Sequence, residues 1–181
     1  MFHAPAVYVP LVRQAYDFSC GAASLASCLY YWGVWDGREP ELYERLGTDN
    51  EGTSGEAIIS AAQHYQLDTT TKSDLSTDDL RKYLKEGYTL ILSIQAWGNY
   101  DEQTDWETIW DDGHYVVLVS IEGQDIYLMD PAHAGGYRTM TIQELLKCWH
   151  DYSDEGEYDY HGAIIIRGDK PASAVRPVSI R

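Results

Sequence analysis

A short segment near the start of the chain combines the residue types of a cysteine hydrolase. Cys20 begins the small and apolar run 20–25, and Gln14 lies six residues before it. The dipole and the unpaired N–H groups at a helix N-terminus favour a thiol in its thiolate form. An upstream carboxamide can donate a hydrogen bond to an oxyanion. The spacing therefore predicts Cys20 as a nucleophile, with Gln14 and the backbone N–H of Cys20 as oxyanion donors.

Two later residues have the types needed for a base and its orienting partner. His114 precedes the apolar run 115–119, and Asp130 ends the next apolar run, sixteen residues after His114. If the two runs are adjacent strands joined by a tight turn, their ends meet. Asp130 can then accept a hydrogen bond from the imidazole and fix its orientation. We therefore expect His114 to be the general base and Asp130 to orient it.

Each of these residues also has a purely structural interpretation. A cysteine is commonly buried, a lone histidine is commonly a core or rim residue, and Asp130 precedes a proline in a turn. Gln14 alone would be a solvated loop residue. The four residues together favour catalysis, because nucleophile, base, orienting group and oxyanion donor all occur in the order and spacing of one site.

The remaining cysteines and histidines predict neither a disulfide framework nor a metal centre. The chain has three cysteines, and none forms a CxxC pair. Cys28 falls on the apolar stripe of the first predicted helix, and Cys148 is interpreted as structural or incidental. The histidines show no metal-binding spacing such as HExxH. We therefore expect free thiols, no metal ion and no cofactor.

The composition is that of a globular, strongly acidic protein. The chain has 181 residues, of which 44% are hydrophobic, and its formal net charge is −16. We expect one domain over residues 1–168, followed by a tail over 169–181. The charge argues against nucleic acid and anionic membranes as partners and favours neutral or basic peptides. Neither a signal peptide nor a membrane-spanning stretch is recognised, so a cytoplasmic location is expected; the oligomeric state stays open.

Helical signals dominate the first half of the chain. Ser19 is expected to cap the first helix, and Gly33 to end it. Capping residues also precede the third, fourth and fifth helices. The predicted helices are Cys20–Trp32, Glu39–Leu46, Glu56–Tyr65, Thr77–Glu86 and a short one from Thr141 to about Trp149.

Strand signals dominate the second half. The predicted strands are Tyr88–Ala96, His114–Ile121, Ile126–Met129, Tyr137–Met140 and Ala163–Arg167. The segment 99–112 is interpreted as an acidic loop, and the tryptophans in and around it either wall a substrate groove or belong to the core. The fold class is therefore α+β, with a helical N-terminal half packed on an antiparallel sheet from the C-terminal half. The site would lie in the cleft between the halves.

At these residues the chain resembles the papain-like fold in its short bacterial form. More narrowly, it is similar to the bacteriocin-processing, double-glycine peptidases, family thirty-nine of the cysteine peptidases, and to their stand-alone relatives. The resemblance is carried by Gln14 before 20–25, by 113–117, by 130–132 and by the Trp149-His150-Asp151 string. It implies Cys20, His114 and Asp130 as a catalytic triad and Gln14 as the oxyanion residue.

Three functions fit these residues. The first is a cysteine peptidase that hydrolyses a peptide or protein. The second is an amidase or acyltransferase on a small thiol peptide, as in phytochelatin-synthase-like relatives of the fold. The third is a peptide-binding module without catalysis, which the complete Cys–His–Asp set disfavours because a pure binder gains nothing from a reactive thiol.

Overall fold

A six-stranded antiparallel sheet forms the centre of the protein. The computed structural model describes residues 2–96, 105–133 and 135–172. The strands of the sheet are β1 (Asp68–Lys72), β2 (Thr89–Gln95), β3 (Gly113–Glu122), β4 (Asp125–Met129), β5 (Arg138–Thr141) and β8 (Ala163–Arg167). Their order is β1-β8-β2-β3-β4-β5. A separate hairpin pairs β6 (His150–Tyr152) with β7 (Tyr158–Tyr160).

The helices pack on both faces of the sheet. They are α1 (Cys20–Trp32), α2 (Tyr43–Leu46, continuing the 3₁₀ turn Glu39–Leu42), α3 (Gly55–His64), α4 (Thr77–Lys85) and α5 (Ile142–Cys148). On one face α1 and α3 bury their apolar sides against Val117 and Ile164. On the other face α4, α5 and the fully buried Trp149 cover Val116 and Leu118. The predicted α+β arrangement is confirmed, with helices on both sides of the sheet.

Most of the helix ends follow from local signals. Ser76 and Thr141 each form a capping box with the acidic residue three positions later. Ser54 accepts a hydrogen bond from the N–H of Ala57 and caps α3. Gly33 ends α1 in the left-handed conformation, with φ of 66°, which a glycine adopts without a steric penalty.

The expected cap at the start of α1 is wrong in detail. Ser19 precedes α1, but its side chain makes no capping hydrogen bond. Its backbone (φ −101°, ψ 21°) lies outside the extended region that N-cap residues adopt. Its hydroxyl instead donates to the carbonyl of Tyr16 at 3.0 Å and accepts from the N–H of Tyr16 at 3.1 Å. The first turn of α1, which contains Cys20, is therefore left without a side-chain cap.

Candidate active site

The first turn of α1 places Cys20 against the beginning of β3. Ser24, one turn further along α1, donates to the backbone carbonyl of Tyr115 at 3.2 Å. Gly21 allows this close approach, because a Cβ there would lie 2.8 Å from Cβ of Thr53 and 3.2 Å from the Tyr115 ring. Such distances are too short for carbon atoms in contact. Tight packing at Gly21 therefore brings the thiol next to the residue that precedes Tyr115, which is His114.

The β3–β4 hairpin brings His114 and Asp130 together, as the sequence predicts. Val117 on β3 pairs with Met129 on β4. Continuing this register by one residue places Asp130 opposite Val116, on the face of the sheet that also carries His114. Nε2 of His114 lies 2.8 Å from Oδ1 of Asp130. The hairpin geometry thus accounts for the sixteen-residue spacing between the two residues.

His114 bridges the carboxylate and the thiol. Its side chain is only 2% exposed, and the thiol of Cys20 is close enough to raise its pKa. Because Nε2 is used by Asp130, Nδ1 is the ring nitrogen left to face the thiol. Burial acts to lower the pKa of His114, but the interactions with Asp130 and Cys20 outweigh it and raise the pKa to about 9. His114 is therefore a cation at neutral pH, held between two acidic groups.

Asp130 accepts hydrogen bonds on both of its carboxylate oxygens. Oδ1 accepts from His114 and, at 2.9 Å, from the N–H of Ala132. Oδ2 lies 3.3 Å from Nη1 of Arg138. Burial acts to raise the pKa of Asp130, yet the hydrogen bond from His114 and the other donors hold the pKa below its usual value. Asp130 is therefore ionised at neutral pH and suited to fix the imidazole.

Gln14 lies beside these residues, with its carboxamide turned toward the chain that leads into α1. Its backbone N–H donates to the carbonyl of Pro131 at 3.0 Å. Its Nε2 donates to the carbonyls of Tyr16 and Asp17 at 2.9 and 3.0 Å. Its Oε1 is buried and has no hydrogen-bond partner. Gln14 thus joins the turn before Cys20 to the segment that follows Asp130.

An open groove adjoins the three residues. Its volume is about 980 Å³, and its lining includes Gln14, Gly113 and Ala132, each of which is close in sequence or space to the thiol, imidazole or carboxylate. Asp17, Asp111 and Asp112 line the same groove, with Arg13 as the basic residue. The residues around the candidate site therefore line a space large enough for a peptide segment.

A second cavity, of about 470 Å³, lies on the α3 side of the site. Tyr115 is part of its wall, together with three tyrosines of the β6–β7 hairpin and the carboxylates of Glu56, Asp74, Asp154, Glu155 and Asp159. Asp154 also accepts hydrogen bonds from the N–H groups of Gly55 and Glu56 at 3.0 and 2.6 Å, and so joins the hairpin to the start of α3. The residues that line this cavity include no lysine or arginine, and the groove is lined by three aspartates and one arginine, so both spaces are predominantly acidic.

His150 and Trp106, which the sequence analysis also considered, make packing contacts outside the Cys20–His114–Asp130 group. His150 contacts the carbonyl of Ile109 at 2.8 Å and packs against Trp110. Trp106 lines a cavity behind Asp130, and Trp97 lies outside the described residues. Among the described residues, no group of histidine, cysteine and carboxylate side chains is arranged to hold a metal ion.

Arg138 and the hydrogen-bond network around Asp151 are the site neighbours that sequence reasoning missed. Asp151 accepts hydrogen bonds from Ser93 and Gln95 and lies against Gly113, next to His114. Asp151 could have been found from the sequence, because the Trp149-His150-Asp151 string is one of the segments in which the chain resembles the family. Arg138 had no sequence signal, because its contact with Asp130 depends on how β5 pairs with β4.

The three cysteines are expected to differ strongly in reactivity. Burial raises the pKa of Cys28 and of Cys148 to about 12, so each thiolate is on the order of a millionth of its thiol at pH 6. Cys20 is partly exposed and faces a protonated His114. Iodoacetamide at pH 6 should therefore alkylate Cys20 at least about a thousandfold faster than the other two. Peptide mapping by mass spectrometry measures this difference, and equal labelling of all three in the folded protein would contradict it.

Comparison with known proteins places the chain in a family. The family model described as "Peptidase_C39 like family" matches residues 7–157. An uncharacterized protein of Methanothermobacter marburgensis is 31% identical over 122 residues, which cover 67% of this chain and 71% of that protein. A second uncharacterized protein, from Methanothermobacter thermautotrophicus, is 32% identical over 126 residues, with the same coverage of 67% and 71%.

Solved structures show the same fold. A double glycine motif protease from an AMS/PCAT transporter, crystallised with the leader peptide, superposes with a TM-score of 0.64 at 22% identity, covering 94% of this chain and 96% of that chain. The peptidase domain of Streptococcus ComA, a bi-functional ABC transporter, superposes with a TM-score of 0.65 at 20% identity, covering 88% and 98%. In the ranges described for the present chain, none of the helices has the length and apolarity required to cross a bilayer. With most of its length matched by the family model and its fold shared with such peptidase domains, the chain belongs to the Peptidase_C39-like family.

Proposed function

We propose that this protein is a cysteine peptidase in which Cys20 is the nucleophile, His114 the acid–base group and Asp130 its orienting partner. The observation that carries the proposal is the arrangement of His114, which contacts a partly exposed thiol and, through Nε2, a buried carboxylate. This is the chain of contacts that a thiol–imidazole nucleophile requires. Membership in a family of C39-like peptidases supports the same reaction class.

The first half of the reaction forms an acyl-enzyme. The Cys20 thiolate attacks the carbonyl carbon of a peptide bond, and the new carbon–sulfur bond pushes the carbonyl electrons onto oxygen. The His114 imidazolium then gives its proton to the departing amine as the carbon–nitrogen bond breaks. With a pKa of about 9, His114 carries this proton throughout the neutral range. Asp130 keeps the ring aligned during the transfer.

The second half releases the product by hydrolysis. Neutral His114 takes a proton from water, the resulting hydroxide equivalent attacks the thioester carbonyl, and the carbon–sulfur bond breaks to restore the thiol. In both halves the tetrahedral oxyanion would accept hydrogen bonds from the N–H of Cys20 and from Gln14. Because no side chain caps α1, the N–H groups of its first turn are available to donate hydrogen bonds to the oxyanion. Gln14 would redirect one Nε2 hydrogen from the Tyr16 or Asp17 carbonyl when substrate binds.

The proposed substrate is a peptide or protein segment that lies along the acidic groove. The related transporter protease was crystallised with a leader peptide, and we propose that peptides of this general type, with small residues at the cleavage point, are bound here. The carboxylates in the groove and in the adjoining cavity favour basic or neutral segments over acidic ones. Acyl transfer to an amine or thiol acceptor is the second candidate, since the same acyl-enzyme would form.

The decisive experiment incubates the protein with a panel of basic, neutral and acidic peptides that contain glycine pairs, and identifies products by mass spectrometry. Replacing Cys20 with alanine removes the nucleophile and should reduce turnover to the background level, a loss of about 10⁴-fold or more. Cys148→Ala is the matched control, because it removes a buried thiol remote from the groove. Cleavage that survives in Cys20→Ala would end the proposal, and added glycine or thiol acceptors separate transfer from hydrolysis.

A further inference from the structure

The carboxylate of Asp130 is held by a cation that is distant from the thiol. Arg138 is the first residue of β5 and pairs with Leu128, two residues before Asp130 on the neighbouring strand. From this position its Nη1 lies 3.3 Å from Oδ2 of Asp130. Oδ1 is already used by His114 and by the N–H of Ala132. Arg138 therefore supplies the donor on the oxygen that the imidazole does not use.

The contact is formed at the wall of a cavity on the far side of the carboxylate. This cavity has a volume of about 400 Å³ and is lined by Asp130, Arg138, Val116 and Met140, and by Glu144 and Lys147 of α5. The Arg138 side chain is 48% exposed, whereas that of Asp130 is 9% exposed. The guanidinium thus stays partly hydrated, so it contributes a positive charge to Asp130 without a large desolvation cost of its own.

Titratable and charged groups from several elements surround Asp130. His114 of β3, next to Cys20 of α1, contacts Oδ1, and Arg138 of β5 contacts Oδ2. Glu144 and Lys147 of α5 line the cavity that Asp130 and Arg138 share. Burial opposes ionisation of Asp130, and the hydrogen bond from His114, the Ala132 N–H and the charge of Arg138 together hold its pKa low. Arginine remains protonated at every pH of interest. The support from Arg138 is therefore constant while the other groups titrate.

We propose that Arg138 is a positioning residue that acts through Asp130. It anchors Oδ2, so that Oδ1 stays directed at Nε2 of His114 and Nδ1 stays directed at Cys20. The effect on turnover rests on the peptidase function proposed above, but the effect on the His114–Asp130 hydrogen bond does not.

Proton NMR tests the hydrogen bond directly. An imidazole N–H that donates to a carboxylate gives a resonance far downfield, and loss of the signal in His114→Ala assigns it to His114. In the parent protein the signal should persist on acidification until Asp130 is protonated. In Arg138→Gln the pKa of Asp130 rises, because a nearby positive charge is lost, so the signal should disappear at a higher pH than in the parent protein. Arg138→Lys keeps the charge but not the planar fork and should lie between the two.

Kinetic measurements test the consequence for the thiol. Arg138→Gln should lower kcat by about ten- to a hundredfold with little change in KM, because a misdirected base affects the chemical step more than binding. Iodoacetamide alkylation of Cys20 should slow as well, and it requires no peptide substrate. Arg81→Gln is the matched control, because it removes the same side chain from another place: Arg81 of α4 donates to the carbonyls of Ile121 and Gly123 at 3.1 and 2.6 Å, at the end of β3 opposite His114.

The two hypotheses fail differently. If Arg138→Gln matches Arg81→Gln in the NMR titration and in the alkylation rate, Arg138 does not position the site and the inference is overturned. If the NMR signal and the alkylation rate change as expected but no peptide is cleaved by the parent protein, the peptidase function fails while the positioning role stands. Arg138→Lys supplies the same readouts if the glutamine variant does not fold.

Discussion

Replacing Asp130 with alanine is expected to lower kcat/KM for peptide cleavage by about a thousandfold or more, as loss of the orienting carboxylate does in other nucleophile–histidine sites. The variant leaves a histidine that is 2% exposed without its main hydrogen-bond acceptor. Because the interaction with Asp130 raises the pKa of His114 against the effect of burial, the pKa should fall from about 9 toward or below 6.5.

The lower pKa of His114 in Asp130→Ala predicts the direction in which the pH–rate profile shifts. In the parent protein His114 is protonated below about pH 9, so the imidazolium beside Cys20 is present across the neutral range. In Asp130→Ala the imidazolium is lost at lower pH, and the alkaline limb of the rate profile should move toward acid by more than one unit. Alkylation of Cys20 by iodoacetate between pH 5 and 10 measures this limb without a peptide substrate, because the imidazolium attracts this anionic reagent and the attraction is lost when His114 is deprotonated.

Asp125→Ala is the matched control for this experiment. Asp125 begins the same strand at its other end and is exposed, so its replacement should leave the rates and the pH profile nearly unchanged. Asp130→Asn offers a second variant, because its one carbonyl oxygen can still accept from His114 while its NH₂ group would face Arg138. Its rate should fall between those of the parent and the alanine variant. A profile for Asp130→Ala that superposes on that of Asp125→Ala would refute the proposed role.

Replacing Trp149 with alanine is expected to lower the free energy of unfolding by about 3–5 kcal/mol. Trp149 is fully buried among the helices and strands on the α5 face of the sheet. Its indole N–H donates to the carbonyl of Gly162 at 2.8 Å, and its ring stacks on His161 at a centroid distance of 4.8 Å. The substitution removes a large apolar volume and leaves a buried carbonyl without its donor. Urea unfolding followed by circular dichroism measures the change.

The Trp110→Ala variant provides the comparison for this stability prediction. Trp110 is only partly buried and contacts the rings of His150, Tyr158 and Tyr160 near the surface. Its loss should cost less than about 2 kcal/mol, since water can occupy much of the vacated space. If the two tryptophan variants had equal stability, the expected contribution of the buried Trp149 side chain would be wrong.

The helices were well predicted because their signals are local. The ends of α1 coincide with the predicted range Cys20–Trp32, and the capping boxes at Ser76 and Thr141 are formed as expected. Each signal involves residues within one turn, so no tertiary information is needed. Ser19 is the exception: its hydroxyl has an alternative partner in Tyr16, and the residue type alone did not distinguish the two.

The missed strands are polar and depend on distant partners. β1 has the sequence Asp-Thr-Thr-Thr-Lys, lies at an edge of the sheet and has a mostly exposed burial pattern. It pairs with β8, nearly a hundred residues later. The β6–β7 hairpin falls in a segment for which the sequence analysis predicts no strand, and both of its strands are short. Neither has the apolar alternation by which a strand is recognised from sequence.

The sequence predicted contacts within the candidate site only where a motif residue lies at the end of a recognisable helix or hairpin strand. The meeting of Cys20 with His114 and of His114 with Asp130 followed from a helix start and a hairpin, and the structure brings these residues together. The carboxamide contacts of Gln14 with Tyr16 and Asp17 could not be derived, because side-chain rotation in a loop leaves no periodic signal. The contact of Arg138 depends on the register of β5, which no residue type specifies.

The position of β8 between β1 and β2 determines when the folded domain can be completed. The hydroxyl of Thr89 on β2 donates to the carbonyl of Ile166 on β8, which lies 77 residues later in the chain. Ile164 and Ile166 also belong to the apolar core on which α1 packs. Until the ribosome has synthesised β8, β1 has no strand to pair with, and part of the apolar surface on which α1 packs is missing. Closure of such distant segments is slow compared with helix formation. A nascent polypeptide therefore carries Cys20 on a helix whose packing surface is incomplete, and the sheet that holds His114 is complete only after β8 has been synthesised.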